Sequence, residues 1–294
     1  MHAAAAKAKP QTLPAAADTP PLNVDADADA LAARDLLAAA AREAGRLALD
    51  YFRPGARTSA PVETKAGGSP VTDADLAADS LLKRRLRDAL PEAGWLSEET
   101  VDDFERLERR SVIIVDPIDG TRAFVIGDPR WAVSAALVID GRPFAAVVHA
   151  PALEETYAAA RRGGATFNGA PLAAASGWPP RAAAGPKSIV QPMAEKLGLS
   201  VEITPRVPSL AYRLCMAARG AVDFAAAAEN SHDWDIAAAD LLLEEAGARL
   251  IDVTGERLLY NARHVRRGAL LAVADAAAPR LIGAFRAAIG RRPD

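Results

Sequence analysis

Two carboxylates, Asp116 and Asp119, flank Pro117 and Ile118 and are followed at once by Gly120 and Thr121. Carboxylate oxygens are hard donors. Mg²⁺ takes oxygen ligands at about 2.0–2.1 Å and keeps several waters, so an open pair of this kind suits it. Proline has no N–H for a strand ladder, which predicts that the strand before it ends at Asp116. Gly120 lets the backbone turn sharply and approach a ligand closely. A helix opening near Gly120 and Thr121 would turn its free N–H groups toward an anion, so metal and phosphate would meet at one strand end. Asp-Pro and Asp-Gly are also ordinary turn chemistry, and the pair alone does not separate the two readings.

The elements that must position these groups can be read around them. Val112-Ile113-Ile114-Val115 is β-branched throughout and predicts a short buried strand leading into Asp116. Upstream, residues 1–29 are rich in Ala, Pro and Asp without hydrophobic periodicity and read as a disordered tail. The Asp25, Asp27, Asp29 alternation reads as an acidic approach to a helix. Spacing from Leu31 to about Phe52 predicts that amphipathic helix. A second runs from near Thr72 or Asp73, as N-cap, to about Leu90, and carries Asp75 in its first turn. Trp95-Leu96-Ser97 predicts a short strand ending in the adjacent acids Glu98 and Glu99. The charged stretch from Asp102 to Arg110 reads as a mobile surface connection. A first-turn Asp and an exposed Glu pair are each common without function.

Downstream, Trp131–Ile139 and Phe144–His149 predict a hairpin turning at Asp140-Gly141, and Thr156–Ala160 and Ala165–Phe167 continue it. The Pro- and Ala-rich stretch near Trp178 reads as a boundary between an α+β half (30–180) and an α/β half (181–294). In the second half, Ser188–Val190, Val201–Ile203, Val222–Phe224 and Arg249–Asp252 predict short strands. They alternate with helices over Leu210–Arg219, Ala237–Ala246 and from about Ala277, which indicates α/β layering.

Composition narrows the function. A net charge of −3 with both signs interspersed gives no nucleic-acid-binding surface. The single cysteine, Cys215, excludes an internal disulfide framework and a cysteine-rich zinc site. No apolar run is long enough to span a bilayer, so the cytoplasm is the expected location. His149 and His232 read as structural or peripheral.

Taken together, the separated pieces resemble the inositol monophosphatase superfamily of magnesium-dependent, lithium-sensitive phosphatases. Asp116-Pro117-Ile118-Asp119-Gly120-Thr121 matches its first signature, and Trp234-Asp235-Ile236-Ala237-Ala238 with Glu245-Ala246-Gly247 its second. Glu98-Glu99 and Lys65…Ser69-Pro70-Val71-Thr72…Asp75 match two further elements. The resemblance covers about residues 31 to 275 and implies a layered αβαβα fold. It implies two to three Mg²⁺ ions. Glu98, Asp116 and the Ile118 carbonyl would hold the first, and Asp116, Asp119 and Asp235 the second. Glu98 with Asp75 would help to hold the third. It further implies that Asp75 and Thr121 activate water, and that Gly120 and Thr121 offer N–H groups to the phosphate of a small ester. Homodimers are common in such families, an expectation carried over with the rest.

The substrate is narrower still. Ser-Pro-Val-Thr-x-Ala-Asp (69–75) and Asp-Gly-Thr-Arg-Ala-Phe (119–124) resemble the 3′(2′),5′-bisphosphate nucleotidase and histidinol-phosphatase branches. The inositol monophosphatases usually place an acid seven residues before the second-signature Asp. Here Ala228 stands there, with Glu229 one residue later. The resemblance therefore points first to a 3′(2′),5′-bisphosphate nucleotidase, with inositol-1-monophosphatase or histidinol-phosphatase as alternatives and a sugar bisphosphatase behind them. Lys65, Tyr212 and Arg213 are candidates for contact with the rest of the substrate. A silent regulatory relative would usually lack a metal carboxylate. Here all of those carboxylates are present, which favours an enzyme.

Overall fold

The computed structural model describes residues 27–65, 67–175 and 177–290. Most of the expected 1–29 tail lies outside them, but 27–29 already belong to the first helix. Two helices, α1 (Asp27–Leu49) and α2 (Asp73–Ala89), cover one face of a seven-stranded sheet. A short ladder of β1 (Val62–Thr64) and β2 (Pro70–Thr72) delivers the chain into α2. The large sheet runs β3 (Gly94–Ser97), β4 (Ser111–Asp119), β5 (Ala132–Ile139), β6 (Arg142–Ala150), β7 (Glu155–Ala160), β8 (Gly164–Phe167) and β9 (Ala170–Pro171). Its β3–β4 pair is parallel and the others antiparallel.

A second sheet of five strands runs β11 (Glu202–Ile203), β10 (Ala182–Ala184), β12 (Phe224–Ala227), β14 (Leu270–Ala274) and β13 (Ala248–Ile251). Helices α5 (Leu210–Ala218) and α6 (Asp233–Glu245) fill the space between the sheets. On its outer face lie α4 (Lys187–Leu197) and α7 (Ala278–Gly290). The layers are the expected αβαβα. Strand β4 shows why its run is apolar throughout. Val112 and Ile114 point into the core shared with α5 and α6, whereas Ile113 and Val115 pack under α1 and α2. A sheet covered on both faces needs apolar side chains on both. The hairpin turn at Asp140-Gly141 takes φ values of 51° and 74°, the positive region that such two-residue turns require.

Several local expectations are corrected. Strand β4 does not stop at Asp116: it continues past Pro117 to Asp119, and its pairing with β5 jumps from Asp116↔Ser134 to Asp119↔Ala132. The irregularity is a bulge, a place where proline's missing N–H costs no ladder bond. Ser188–Val190 is helical rather than extended. Ile189, Val190, Met193 and Ala194 form the buried stripe of α4, and that spacing outweighs the β-branched pair. Helix α6 begins at Asp233, so Trp234 and Asp235 lie in its first turn. Strand β12 starts only at Phe224, because the Asp223 carboxylate instead accepts the Arg181 and Ala182 N–H groups at 2.7 and 2.8 Å. The stretch 102–110 is anchored rather than mobile. Arg106 is 1 % exposed and donates to Asp102, to Asn261 Oδ1 at 2.9 Å and to the Ala262 carbonyl at 3.0 Å. Among the described residues no helix is long and apolar enough to cross a membrane.

Candidate active site

The acids converge where β3 and β4 end and α6 begins. One carboxylate oxygen from each of Glu98, Asp116 and Asp235 lies within 4.8 Å of the others. Each is held by its own element. Asp116 sits at the bulge of β4, and its Oδ1 accepts the Ile118 N–H at 3.0 Å. Asp235 closes the first turn of α6 by accepting the His232 N–H at 2.7 Å. A carboxylate there is favoured by the helix dipole. Glu98 follows β3 in a turn fixed from α2. Asp79 accepts the Ser97 hydroxyl at 2.5 Å and the Thr100 hydroxyl at 2.9 Å, and Ser97 Oγ in turn accepts the Glu99 N–H at 3.1 Å.

Asp119 is placed differently from those three. Its Oδ2 accepts the Ser209 hydroxyl at 2.5 Å and the Ala211 N–H at 2.6 Å, while Oδ1 accepts the Leu210 N–H at 3.2 Å. It therefore ties β4 to the N-terminus of α5 and faces the acid group from that side. Gly120 takes φ 92° against the Ser209 backbone, a conformation that favours glycine, and α3 (Thr121–Ile126) starts directly after it. The Thr121 hydroxyl lies 3.1 Å from Asp75 Oδ1 and 3.0 Å from the Ile118 carbonyl, and its single proton serves one of them at a time. Asp75 is itself oriented by a capping box: its Oδ2 accepts the Thr72 N–H at 2.8 Å and the Thr72 hydroxyl at 2.5 Å.

Burial, with like charge beside it, raises the proton affinity of Asp75, Glu99, Asp116, Asp119 and Asp235. Burial, then the field of Glu98 and Asp119, pushes Asp116 well above the usual carboxylate range. Burial and Asp119 do the same to Asp235. Burial lifts Asp75 and Asp119 each to about 6, against the bonds that favour their charged forms, and lifts Glu99 to about 7. One cation answers directly: Lys65 Nζ donates to Glu98 Oε1 and Glu99 Oε1, both at 2.8 Å. Burial opposes the Lys65 charge, but these two bonds outweigh it and raise its pKa. An all-oxygen set that is strongly self-repelling and already draws in an ammonium fits a hard divalent cation.

Beside the acids opens a cleft of about 840 Å³, whose wall includes Asp119 and Asp235 and the cations Arg122, Lys187, Arg206 and Arg213. Arg213 thus lines the cleft. Tyr212 does not: it is 6 % exposed, and its hydroxyl donates to Glu155 Oε2 at 2.7 Å within a buried cluster with Tyr157 and Arg219. Lys65 contacts acids, and His149 is a core group, pushed down to about 4 by burial and bonded to Thr156. His232 precedes α6 and stacks on Trp234 at 4.6 Å. Sequence reasoning missed Asp79, Ser209 and Arg206. Asp79 lies one helical turn beyond Asp75 on the same face, a signal that was available. The Ser209–Asp119 bond joins positions 90 residues apart and leaves no local trace.

Comparison with known proteins gives the same picture. The sequence profile described as the Inositol monophosphatase family matches residues 32–289. A histidinol-phosphatase of Mycobacterium tuberculosis is 36% identical over 213 residues, 66% of this chain and 78% of that protein. Another, from Chlorobaculum parvum, is 40% identical over 132 residues, 45% of this chain and only about half (49%) of the relative. Among solved structures, the Thermotoga maritima IMPase TM1415 superposes with a TM-score of 0.74 at 25% identity, covering 87% of this chain and 97% of that one.

Proposed function

The chain belongs to the inositol monophosphatase family, whose members hydrolyse phosphate monoesters, and from that premise we propose that it is a Mg²⁺-dependent 3′(2′),5′-bisphosphate nucleotidase. One observation carries the reading: a converging carboxylate group opens directly onto a cleft lined by Arg122, Lys187, Arg206 and Arg213. Acids of this kind suit a cation and cations of this kind suit an anion, so an ester with a second phosphate meets both.

Glu98, Asp116 and Asp235 would hold the metal, with Asp119 and the Ile118 carbonyl beside them. When bound, Mg²⁺ supplies positive charge that neutralises the phosphate dianion and the charge developing on the leaving oxygen. The remaining work falls to the chain. Thr121 Oγ1 lies between Asp75 Oδ1 and the Ile118 carbonyl, where it can accept a hydrogen bond from an attacking water while donating its own proton to Asp75. The proton then rests on Asp75 Oδ1. Burial has raised that group to about 6, close to the range in which a general base is effective. The Gly120 and Thr121 N–H groups, at the start of α3, would meet the phosphate oxygens.

A second reading has its own observation. Glu229 also lines the cleft, and a carboxylate there would suit the amino group of histidinol phosphate, the substrate class named for the relatives above. Rates on 3′-phosphoadenosine 5′-phosphate, histidinol phosphate and inositol 1-phosphate at saturating Mg²⁺ decide between them. The nucleotidase reading expects the first to have the highest kcat/KM, and a higher value for either of the others rejects it.

A further inference from the structure

The converging acids reach the site by two different routes. Glu98 and Asp116 follow neighbouring strands, and the β3–β4 ladder fixes them backbone to backbone, from Gly94↔Val112 to Ser97↔Val115. Asp235 arrives on a helix, outside that ladder. Much of α6 is held by apolar packing: Ile236, Ala237 and Leu241 share a cluster with Val112 and Ile114 of β4. Such burial is strong but non-directional, so it does not by itself set where the first turn stands against β3. Ser134 Oγ, donating to the Trp234 carbonyl at 3.2 Å, gives one directional tie from β5.

A second set of ties runs through the chain beyond β13. The Asp233 N–H donates to the Val265 carbonyl at 2.9 Å, and the Arg267 N–H to the Ser231 carbonyl at 2.7 Å. Arg267 Nε adds a bond to Asp233 Oδ1 at 2.6 Å. The start of α6 and segment 261–267 are therefore one unit. Arg106 grips that segment from a short 3₁₀ turn (Glu105–Glu108), and its charged side chain is fully buried. Its Nη1 donates to Asn261 Oδ1 at 2.9 Å and to the Ala262 carbonyl at 3.0 Å. Asn261 Nδ2 returns a bond to the Arg106 carbonyl at 3.1 Å. Nε and Nη2 donate to Asp102, whose carboxylate offsets the buried charge.

The main chain of Arg106 rests on β3. A Cβ at Gly94 would lie 2.8 Å from Arg106 Cα, so glycine admits this contact at the first residue of the strand that leads to Glu98. One buried residue thus touches the strand presenting Glu98 and, 155 positions along the chain, the segment bracing Asp235. An apolar side chain would fill the same space at lower cost. What it could not supply is direction.

We propose that Arg106 is a positioning residue for the metal site: packed on Gly94 and bonded to Asn261, it sets the first turn of α6 against β3 and so brings Asp235 to Glu98 and Asp116. The role rests on the reading of these three acids as metal ligands. It goes beyond that reading by naming what holds them in register from outside, since among the described residues Arg106 forms no hydrogen bond or ion pair with any of them.

Mg²⁺ alone is the probe. Its affinity is measured by calorimetry on the full chain, Arg106→Lys, Asn261→Gly and the double variant, with melting temperature in parallel. Lysine keeps the charge beside Asp102 but lacks the planar fork that reaches several partners at once. Asn261 has φ 61°, which glycine adopts freely, so Asn261→Gly removes the bond without straining the backbone. Each single variant should weaken Mg²⁺ binding about tenfold, the size found for groups that orient metal ligands. The double variant should bind no more weakly than Arg106→Lys, because both changes remove the same bond. At high Mg²⁺, kcat on the best of the esters named above should return to near the wild-type value. Phe285→Leu, in the core under α7, is the stability control and should lower the melting temperature without moving Mg²⁺ affinity. If Arg106→Lys does not fold, Asn261→Gly decides alone. Variants that melt earlier but bind Mg²⁺ like the wild type would overturn the positioning role and leave the phosphatase reading intact. If Mg²⁺ binding weakens as expected but no ester is hydrolysed, the positioning role stands and the phosphatase reading falls.

Discussion

Helix α6 carries acids at both ends, and, Asp233 with its Arg267 partner aside, the two ends are built on opposite plans. At its start, Asp235 stands among Glu98, Asp116 and Asp119, and among the described residues no Lys or Arg pairs with it; His232 Nδ1 lies 3.9 Å away. Toward its end, Glu244 pairs with Arg142 at 3.2 Å and with Arg257, while Glu245 accepts the Arg162 and Gly164 N–H groups at 2.8 and 2.9 Å. Asp240 accepts the Tyr260 hydroxyl at 2.9 Å. Acids that serve the fold are compensated where they stand. Acids that serve a ligand are left in excess, and the missing charge arrives with the ligand.

The sharpest break in that contrast is Asp235→Asn. It removes one ligand charge and should lower turnover at saturating Mg²⁺ by roughly 10³-fold, a loss of the size seen when charge stabilisation in a transition state is removed. Near-normal turnover in a steady-state assay would remove Asp235 from the metal set. Thr121→Val keeps the shape of the side chain and deletes the hydroxyl between Asp75 and Ile118. Its kcat should fall about 10²-fold or more, with little change in KM, since general-base assistance has that magnitude. A variant that lost affinity instead would place Thr121 in substrate binding alone.

Asp79→Asn probes a support rather than a ligand. It weakens the bonds to Ser97 and Thr100 that hold the turn carrying Glu98. The Mg²⁺ concentration giving half-maximal rate should rise by about tenfold, as for partners that orient metal ligands, with kcat largely recovered at high Mg²⁺. Calorimetric Mg²⁺ affinity unchanged from the wild type would count against the idea. Glu244→Gln is the control at the compensated end. It should cost about 0.5 kcal/mol of stability, typical of partly exposed ion pairs, and leave the Mg²⁺ dependence of the rate where it was.

How far the sequence could show this difference depends on distance along the chain. Asp116, Asp119 and a cap at Thr72 or Asp73 could be proposed because strand, turn and helix start each follow from adjacent residues, whereas the bulge at Pro117 depends on pairing with β5 and was missed. The hairpin at Asp140-Gly141 was readable for the same reason. Strand β10 was not: Ala182–Ala184 has weak strand propensity and is extended because β11 and β12 flank it. Tyr212 shows the opposite error. Its polar tip suggested a ligand contact, but Glu155, 57 residues away, satisfies it inside the core. The four cleft cations come from α3, α4, α5 and the chain before α5, and nothing local marks them as neighbours.

The claim that the acid group around Asp235 carries more negative charge than its neighbours offset is tested most directly by thermal stability against pH, with and without Mg²⁺. Asp75 and Asp119 are raised to about 6 and Glu99 to about 7 in the fold, and Asp116 and Asp235 are raised too. Between their unfolded values near 4 and these folded values, the native state holds protons that the unfolded chain has released. Stability contributed by these groups is therefore present below about pH 4 and lost as pH rises through about 6 to 7. The metal-free melting temperature should fall across that window. Mg²⁺ should restore it most at the upper end, where the carboxylates are charged, and the increment should shrink in Asp235→Asn. A metal-free melting temperature that climbs steadily from pH 4 to 7, with no gain from Mg²⁺ at pH 7, would contradict the account.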